Sequence, residues 1–206
     1  LLAVILYFYK DIIKIIKDFI TLKNSEHSSL GLQIIIATIP AALVGFLLKN
    51  IISQLFSNVF ILALGFAITS LILIITSISK TKQSGLNYKN SIIIGIAQIF
   101  AILPGISRLG ATLSAGILSG IKEKQAIKFS FLLSIPITLG SILISINEIS
   151  LSTLAITIPI SLLISLPMLH LAYTKILVKK QNLKYFGIYL LLLAVSLLII
   201  SIFFLS

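Results

Sequence analysis

The sequence runs to 206 residues, 58% of them hydrophobic and only 10% charged, where soluble domains carry about 25% charged residues. With a mean hydropathy of +1.19, too few charges remain to wet a soluble globule, and the bilayer is the solvent. The formal charge of +11 falls in short patches between apolar runs, which argues against a nucleic-acid partner and for loop lysines that orient a membrane protein; the absence of cysteine excludes disulfides, thiolate metal sites and a cysteine nucleophile.

The apolar run at residues 1–9 is half the length of a spanning helix before Lys10 and Asp11 interrupt it. It reads as a partial helix of a longer parent chain. A signal peptide does not fit, because no basic region precedes the run and no small-residue cleavage site follows it. Full spans are expected at 30–48, where Pro40 and Gly45 are tolerable in a membrane helix, and at 57–79, 129–146, 153–173 and 185–205. Together they predict one membrane domain over residues 1–206.

Residues 91–121 are mostly apolar but are broken by Pro104-Gly105, with Ser107 and Arg108 just beyond. Proline interrupts the helix, glycine permits a tight turn, and each limb is too short to cross. A re-entrant hairpin is the expected form, and non-helical backbone at that depth is tolerated only where it is buried in protein or lines a cavity. If the hairpin returns to the side it entered, four basic patches share one side: Lys10 to Lys23, Lys80 to Lys89, Lys122 to Lys128 and Lys175 to Lys184. That side would be cytoplasmic, with the Lys49-Asn50 turn and a turn at 147–152 outside. A faint echo between Thr38-Ile39-Pro40 and Ser134-Ile135-Pro136 suggests repeated halves. The expected fold class is therefore all-α, a polytopic membrane bundle with inverted repeats and a re-entrant helical hairpin.

Arg108 is the one charged residue well inside a long apolar stretch, where an unpaired arginine costs roughly 2.5–3.5 kcal/mol or more. No Asp or Glu lies within an apolar span to meet it, so an anionic ligand is expected. The guanidinium fork suits bidentate phosphate binding. Gly105, Ile106 and Ser107 are expected to offer backbone N–H groups and a hydroxyl at the start of the return helix, and Thr112, four residues past Arg108, a second hydroxyl on its face. The plain alternative is an arginine that snorkels to an interface beside an ordinary turn.

The run Gln98-Ile99-Phe100-Ala101-Ile102-Leu103-Pro104-Gly105-Ile106-Ser107-Arg108, with Thr112 beyond it, resembles the second signature of the undecaprenyl-pyrophosphate phosphatase (bacitracin-resistance) family, Pro-Gly-x-Ser-Arg-Ser-x-x-Thr. The stretch from Phe129 to Pro136, the Ile39-Pro40-Ala41 helix and Tyr185 to Tyr189 extend the resemblance over essentially the whole chain. It implies hydrolysis of undecaprenyl pyrophosphate to the monophosphate carrier lipid of cell-wall synthesis, bacitracin resistance, a bacterial inner-membrane location and a divalent cation, Mg or Ca. It also implies catalytic roles for Ser107 and Arg108 and substrate-binding roles for Gly105, Ser107, Arg108, Thr112 and Gln98. The partners implied are a polyprenyl pyrophosphate and the bilayer, and a homodimer is admitted.

Two departures qualify the resemblance. Leu109 stands where the family has a second Ser, removing a hydroxyl from the phosphate cradle. The family's first signature, a Glu pair and a Ser-Ser-Thr-Gly-His run, has no counterpart, so no metal ligand is expected in this chain, the ligands are expected upstream of Leu1, and these 206 residues alone are expected to lack phosphatase activity. His27 reads as a solvated loop residue, His170 as a packed or interfacial one, and Glu123 and Glu148 as turn and interface residues. Two other readings stay open: a transporter or flippase for polyprenyl phosphates, and an inactive fragment.

Overall fold

The computed structural model describes residues 1–80, 84–144 and 151–204. Its elements in chain order are α1 (Leu2–Tyr7), α2 (Tyr9–Ile20), α3 (Glu26–Leu47), α4 (Lys49–Leu55), α5 (Val59–Ile78), α6 (Tyr88–Phe100), α7 (Arg108–Leu118), α8 (Glu123–Ile144), α9 (Leu151–Leu171) and α10 (Leu183–Phe204). Among the described residues there is no strand, and the fold is an all-α polytopic membrane bundle. Five helical stretches are long and apolar enough to cross a membrane: Glu26–Leu47, Val59–Ile78, Glu123–Leu143, Ala155–Ile176 and Lys180–Ile202.

These are the five expected spans, with shifted ends. Ser25 caps α3, its hydroxyl accepting from the Ser28 N–H, so the helix starts early. His27, expected in a loop, therefore stands in the first turn of α3. The Asn58 side chain caps α5 by accepting from the Phe60 and Ile61 N–H groups. Helix α8 starts at Glu123, six residues before the expected 129, and α9 runs on into a π-helical turn at Ala172–Ile176. The ends of the expected spans at 145–146 and 205, the first four residues of the expected outer turn, 147–150, and Glu148 lie outside the described residues.

Two helices escaped the sequence reading. The stretch after the partial helix is α2, in which Ile12, Ile15, Ile16 and Phe19 recur at helical spacing between lysines. The Lys49-Asn50 turn opens α4, a short helix set off from α3 by Leu48, whose φ of −104° and ψ of 14° end the α-helical run.

The hairpin is formed by α6 and α7, of 13 and 11 residues, about 20 and 17 Å long and too short to span. Its feet are tied together. Ser84 N–H donates to Gly120 O at 2.7 Å, and Lys122 N–H donates to Ser84 O at 3.3 Å. Two further links join the remaining basic patches to this end. Lys128 Nζ contacts Asp11 Oδ1 at 2.7 Å, and Lys180 Nζ donates to the carbonyl of Ser79. The hairpin thus returns to the side it entered, and all four basic patches gather at one end of the bundle.

The hairpin is also the centre of the core. Ile94 of α6, Leu113 and Ile117 of α7, Phe129 and Leu133 of α8, Leu73 of α5 and Leu183 of α10 are buried together. In lipid the driving force for this packing is close contact rather than the hydrophobic effect, and small residues permit it. A Cβ on Gly95 would lie 2.8 Å from Ala37 O, so α3 and α6 touch backbone to backbone there.

Candidate anion site at the hairpin apex

Between the hairpin limbs, residues 101–107 are held by tight turns: the N–H groups of Ile102, Leu103 and Ile106 donate to Ile99, Phe100 and Leu103 carbonyls. Gly105 has φ +81°, a conformation that favours glycine. It is also pressed onto α5, since a Cβ there would lie 2.9 Å from Phe66 N, and a Cβ on Gly65 would lie 2.9 Å from Gly105 Cα and against Pro104 O. Gly105 therefore serves the turn and the contact with α5.

Ser107 is the N-cap of α7, its Oγ accepting from Gly110 N–H at 3.1 Å. Its own N–H donates to Thr69 Oγ1 at 3.1 Å, and Ala111 N–H takes Ser107 O at 2.8 Å. The N–H groups expected to face a ligand, at 106 and 107, are thus engaged within the protein. Those of Arg108 and Leu109 have no protein partner among the described residues, and they stand at the positive end of the α7 dipole. The hydroxyl lost at Leu109 leaves its backbone donor in place.

Arg108 lines a cavity of about 570 Å³ bounded by α3, α4, α6 and α8. Its walls are mostly apolar, among them Ala41, Ala42, Phe46, Phe56, Ile102 and Ile137, with polar groups from Thr38, Lys49, Ser53, Gln98 and Ser141. The three hydroxyl side chains donate to carbonyls of their own helices: Thr38 to Ile34 O, Ser53 to Asn50 O and Ser141 to Ile137 O. The donors left for an anion are the side chains of Arg108 and Lys49. Gln98 is 1% exposed; its Nε2 donates to Ala37 O at 3.3 Å, and its Oε1 has no partner among the described residues. Leaving a buried acceptor unmade costs about 1–3 kcal/mol, so a donor brought by a ligand or water has a place there.

Of the expected site residues, the cavity brings together Gln98 and Arg108. Gly105 and Ser107 are turned to the apex architecture. Thr112, 1% exposed, donates to Arg108 O at 2.9 Å within α7 and is not among the residues lining the cavity. Lys49 was read only as part of a turn, and Thr69 not at all. Lys49 carried a signal, as a lone lysine between two apolar runs; Thr69 carried none, because a threonine in a membrane helix usually satisfies itself on its own backbone. His170 is packed: Tyr7 Oη and His170 Nδ1 are 2.9 Å apart, and neither residue lines the cavity.

Fold and site together define a multi-pass helical membrane protein in which a broken hairpin brings an arginine to the wall of a mostly apolar cavity. The family described as bacitracin resistance protein BacA matches residues 1–196. The chain is 38% identical to an undecaprenyl-diphosphatase of Thermosipho africanus (strain TCF52B) over 197 residues, covering 95% of this chain and 79% of that protein. It is 40% identical to an undecaprenyl-diphosphatase of Caldicellulosiruptor bescii over 208 residues, covering 96% and 78%, and 36% identical to undecaprenyl-diphosphatase 1 of Bacillus cereus (strain ATCC 14579) over 213 residues, covering 97% and 79%. The chain belongs to the bacitracin resistance protein BacA family.

Proposed function

We propose that this protein hydrolyses undecaprenyl pyrophosphate to undecaprenyl phosphate and inorganic phosphate, recycling a carrier lipid of cell-wall synthesis. The observation that carries this reading is a guanidinium lining an apolar cavity that has no carboxylate among its lining residues. An anionic head with a long apolar tail satisfies both the charge and the walls. Membership of a family whose relatives are named undecaprenyl-diphosphatases supports the same substrate.

In this reading the Arg108 fork and the Arg108 and Leu109 N–H groups take the terminal phosphate, and Lys49 draws the head into the cavity. A water oxygen joins the terminal phosphorus as the bridging oxygen leaves with the lipid phosphate. The protein's part in such a transfer is positioning and stabilisation of charge. Ser107 Oγ accepts from Gly110 N–H and, among the described residues, has no His or carboxylate bonded to it, so we assign it as cap and phosphate contact rather than nucleophile. The divalent cation implied by the family resemblance does not fit these residues: none lining the cavity is Asp, Glu, His or Cys, and among the described residues no cluster of three such side chains could hold a metal ion. No step here is routed through one.

Four basic patches at one end support a cytoplasmic position for that end by the positive-inside rule. The cavity, bounded by α4 at the other end of α3, then opens toward the outer face of a bacterial cytoplasmic membrane. The test is phosphate release from polyprenyl pyrophosphate by the purified protein, and release by these 206 residues would overturn the expectation that they lack the activity alone. Arg108→Ala should reduce it more than about 100-fold and Arg108→Lys, which keeps charge but not the fork, at least about 10-fold. Undiminished release by Arg108→Ala would sink the assignment.

A further inference from the structure

We infer that Thr69, in the middle of α5, is a positioning residue for the anion site, setting the depth and direction of Ser107 and Arg108. The inference rests on the reading of that apex as the phosphate site. Thr69 is 1% exposed and meets the hairpin at three points. Its hydroxyl proton is shared between Gly65 O at 2.9 Å on its own helix and Gly105 O at 3.2 Å on the apex. Its oxygen accepts from Ser107 N–H at 3.1 Å. Its methyl faces Gly110, where an added Cβ would stand 3.3 Å from Thr69 Cγ2.

The chemistry explains why this hydroxyl cannot be replaced by the hairpin itself. Ser107 precedes the helix and has no intrahelical acceptor for its N–H, while the Gly105 carbonyl belongs to a turn in a left-handed conformation. One side chain satisfies both groups, on either side of Ile106. Arg108 follows directly, so rotation of the 106–107 peptide would swing the guanidinium and the free N–H groups of Arg108 and Leu109 together. Gly65, one turn earlier, admits the apex to hydrogen-bond distance, and Gly110 admits the threonine methyl.

Both ends of the side chain are used, which separates two substitutions. Thr69→Ser keeps the hydroxyl and drops the methyl. Thr69→Val keeps the shape and drops both apex hydrogen bonds, leaving Ser107 N–H and Gly105 O without their partner at a half-buried position. A misplacement of about 1 Å at a reacting centre costs on the order of 100-fold in rate. Thr69→Val should therefore lower kcat by about 30- to 100-fold and raise KM by no more than about 10-fold, and Thr69→Ser should stay within about fivefold of the parent in both.

The experiment measures phosphate release from polyprenyl pyrophosphate, calorimetric binding of inorganic pyrophosphate and thermal unfolding, all on the protein in nanodiscs. Binding should weaken about 10-fold in Thr69→Val and be restored in Thr69→Ser. In an Arg108→Ala background, where only the backbone N–H groups remain to be positioned, Thr69→Val should weaken binding clearly less than it does in the parent; fully additive losses would indicate a merely structural role and overturn the inference. Parent-like kcat and binding in Thr69→Val, or equal losses in Val and Ser, would also overturn it. If Thr69→Val does not fold, Thr69→Ala is read in its place. Absence of hydrolysis in the parent, with the binding pattern intact, would remove the phosphatase reading and leave the role of Thr69 standing.

Discussion

Gly65→Ala tests how firmly the hairpin apex is seated on α5. The added Cβ would lie 2.9 Å from both Gly105 Cα and its carbonyl carbon, and against the Pro104 carbonyl oxygen. Carbon atoms settle at about 3.5–4.0 Å, so the apex must retreat by at least roughly 0.6–1.1 Å, and further to clear the Pro104 carbonyl oxygen; these are backbone atoms that cannot rotate aside. The Thr69 bonds to Gly105 O and Ser107 N, at 3.2 and 3.1 Å, would stretch beyond useful range. Overpacking costs about 1–3 kcal/mol, but alanine in place of glycine returns up to about 1 kcal/mol of helix propensity. Stability should therefore fall by no more than about 2 kcal/mol, whereas phosphate release should fall by about 100-fold through displacement of Arg108. The assay pairs phosphate release with thermal unfolding in nanodiscs, using Gly85→Ala, where the added Cβ meets nothing within 4 Å, as the control. Activity in Gly65→Ala within threefold of that control would refute the argument that the apex is fixed by this contact.

Two further substitutions address groups near the phosphate. Ser107→Ala removes the cap of α7 and should destabilise by about 1 kcal/mol, while Ser107→Asn, an equally good cap, should restore most of that loss in thermal unfolding; equal midpoints for the two variants would show that capping is not operative. Lys49→Gln should raise KM about fivefold with kcat within twofold, and the difference should shrink in 0.5 M salt, because an exposed cation at the cavity wall acts at a distance through screened attraction. A salt-independent change would assign Lys49 a direct contact instead.

The spans and the hairpin were legible because both rest on one-dimensional signals. Length and hydropathy mark α3, α5, α8, α9 and α10, and Pro104-Gly105 marks the break. Membership of the hairpin was also testable from charge: the lysine patches required its two feet to share a side, and the Ser84 to Gly120 bond joins them. Helix α2 was missed because its lysines masked an apolar period, and α4 because a seven-residue helix has little period to show. At the site, chemistry was legible and direction was not. The sequence pointed to Arg108 as the anion ligand, but which N–H groups remain open depends on Thr69, a contact that spans 38 positions. The Thr112 hydroxyl shares the helix with Arg108, yet a threonine in an apolar helix can turn to its own i−4 carbonyl, as this one does.

The faint Ile-Pro echo gains a meaning from position. Thr38, Ala41, Ala42 and Gly45 of α3 and Pro136, Ile137, Gly140 and Ser141 of α8 line the same cavity, so the two similar segments form walls of one site. A proline inside each helix removes an N–H donor and frees a carbonyl, and the small residues that follow keep the wall low. Apolar walls of this kind suit a lipid chain beside a charged head, whereas a site for a free inorganic anion would gain nothing from them. The same geometry explains why no carboxylate lines the cavity beside Arg108: α7 brings it there from the hairpin side, and in the proposed reading the ligand, rather than another helix, supplies the opposite charge.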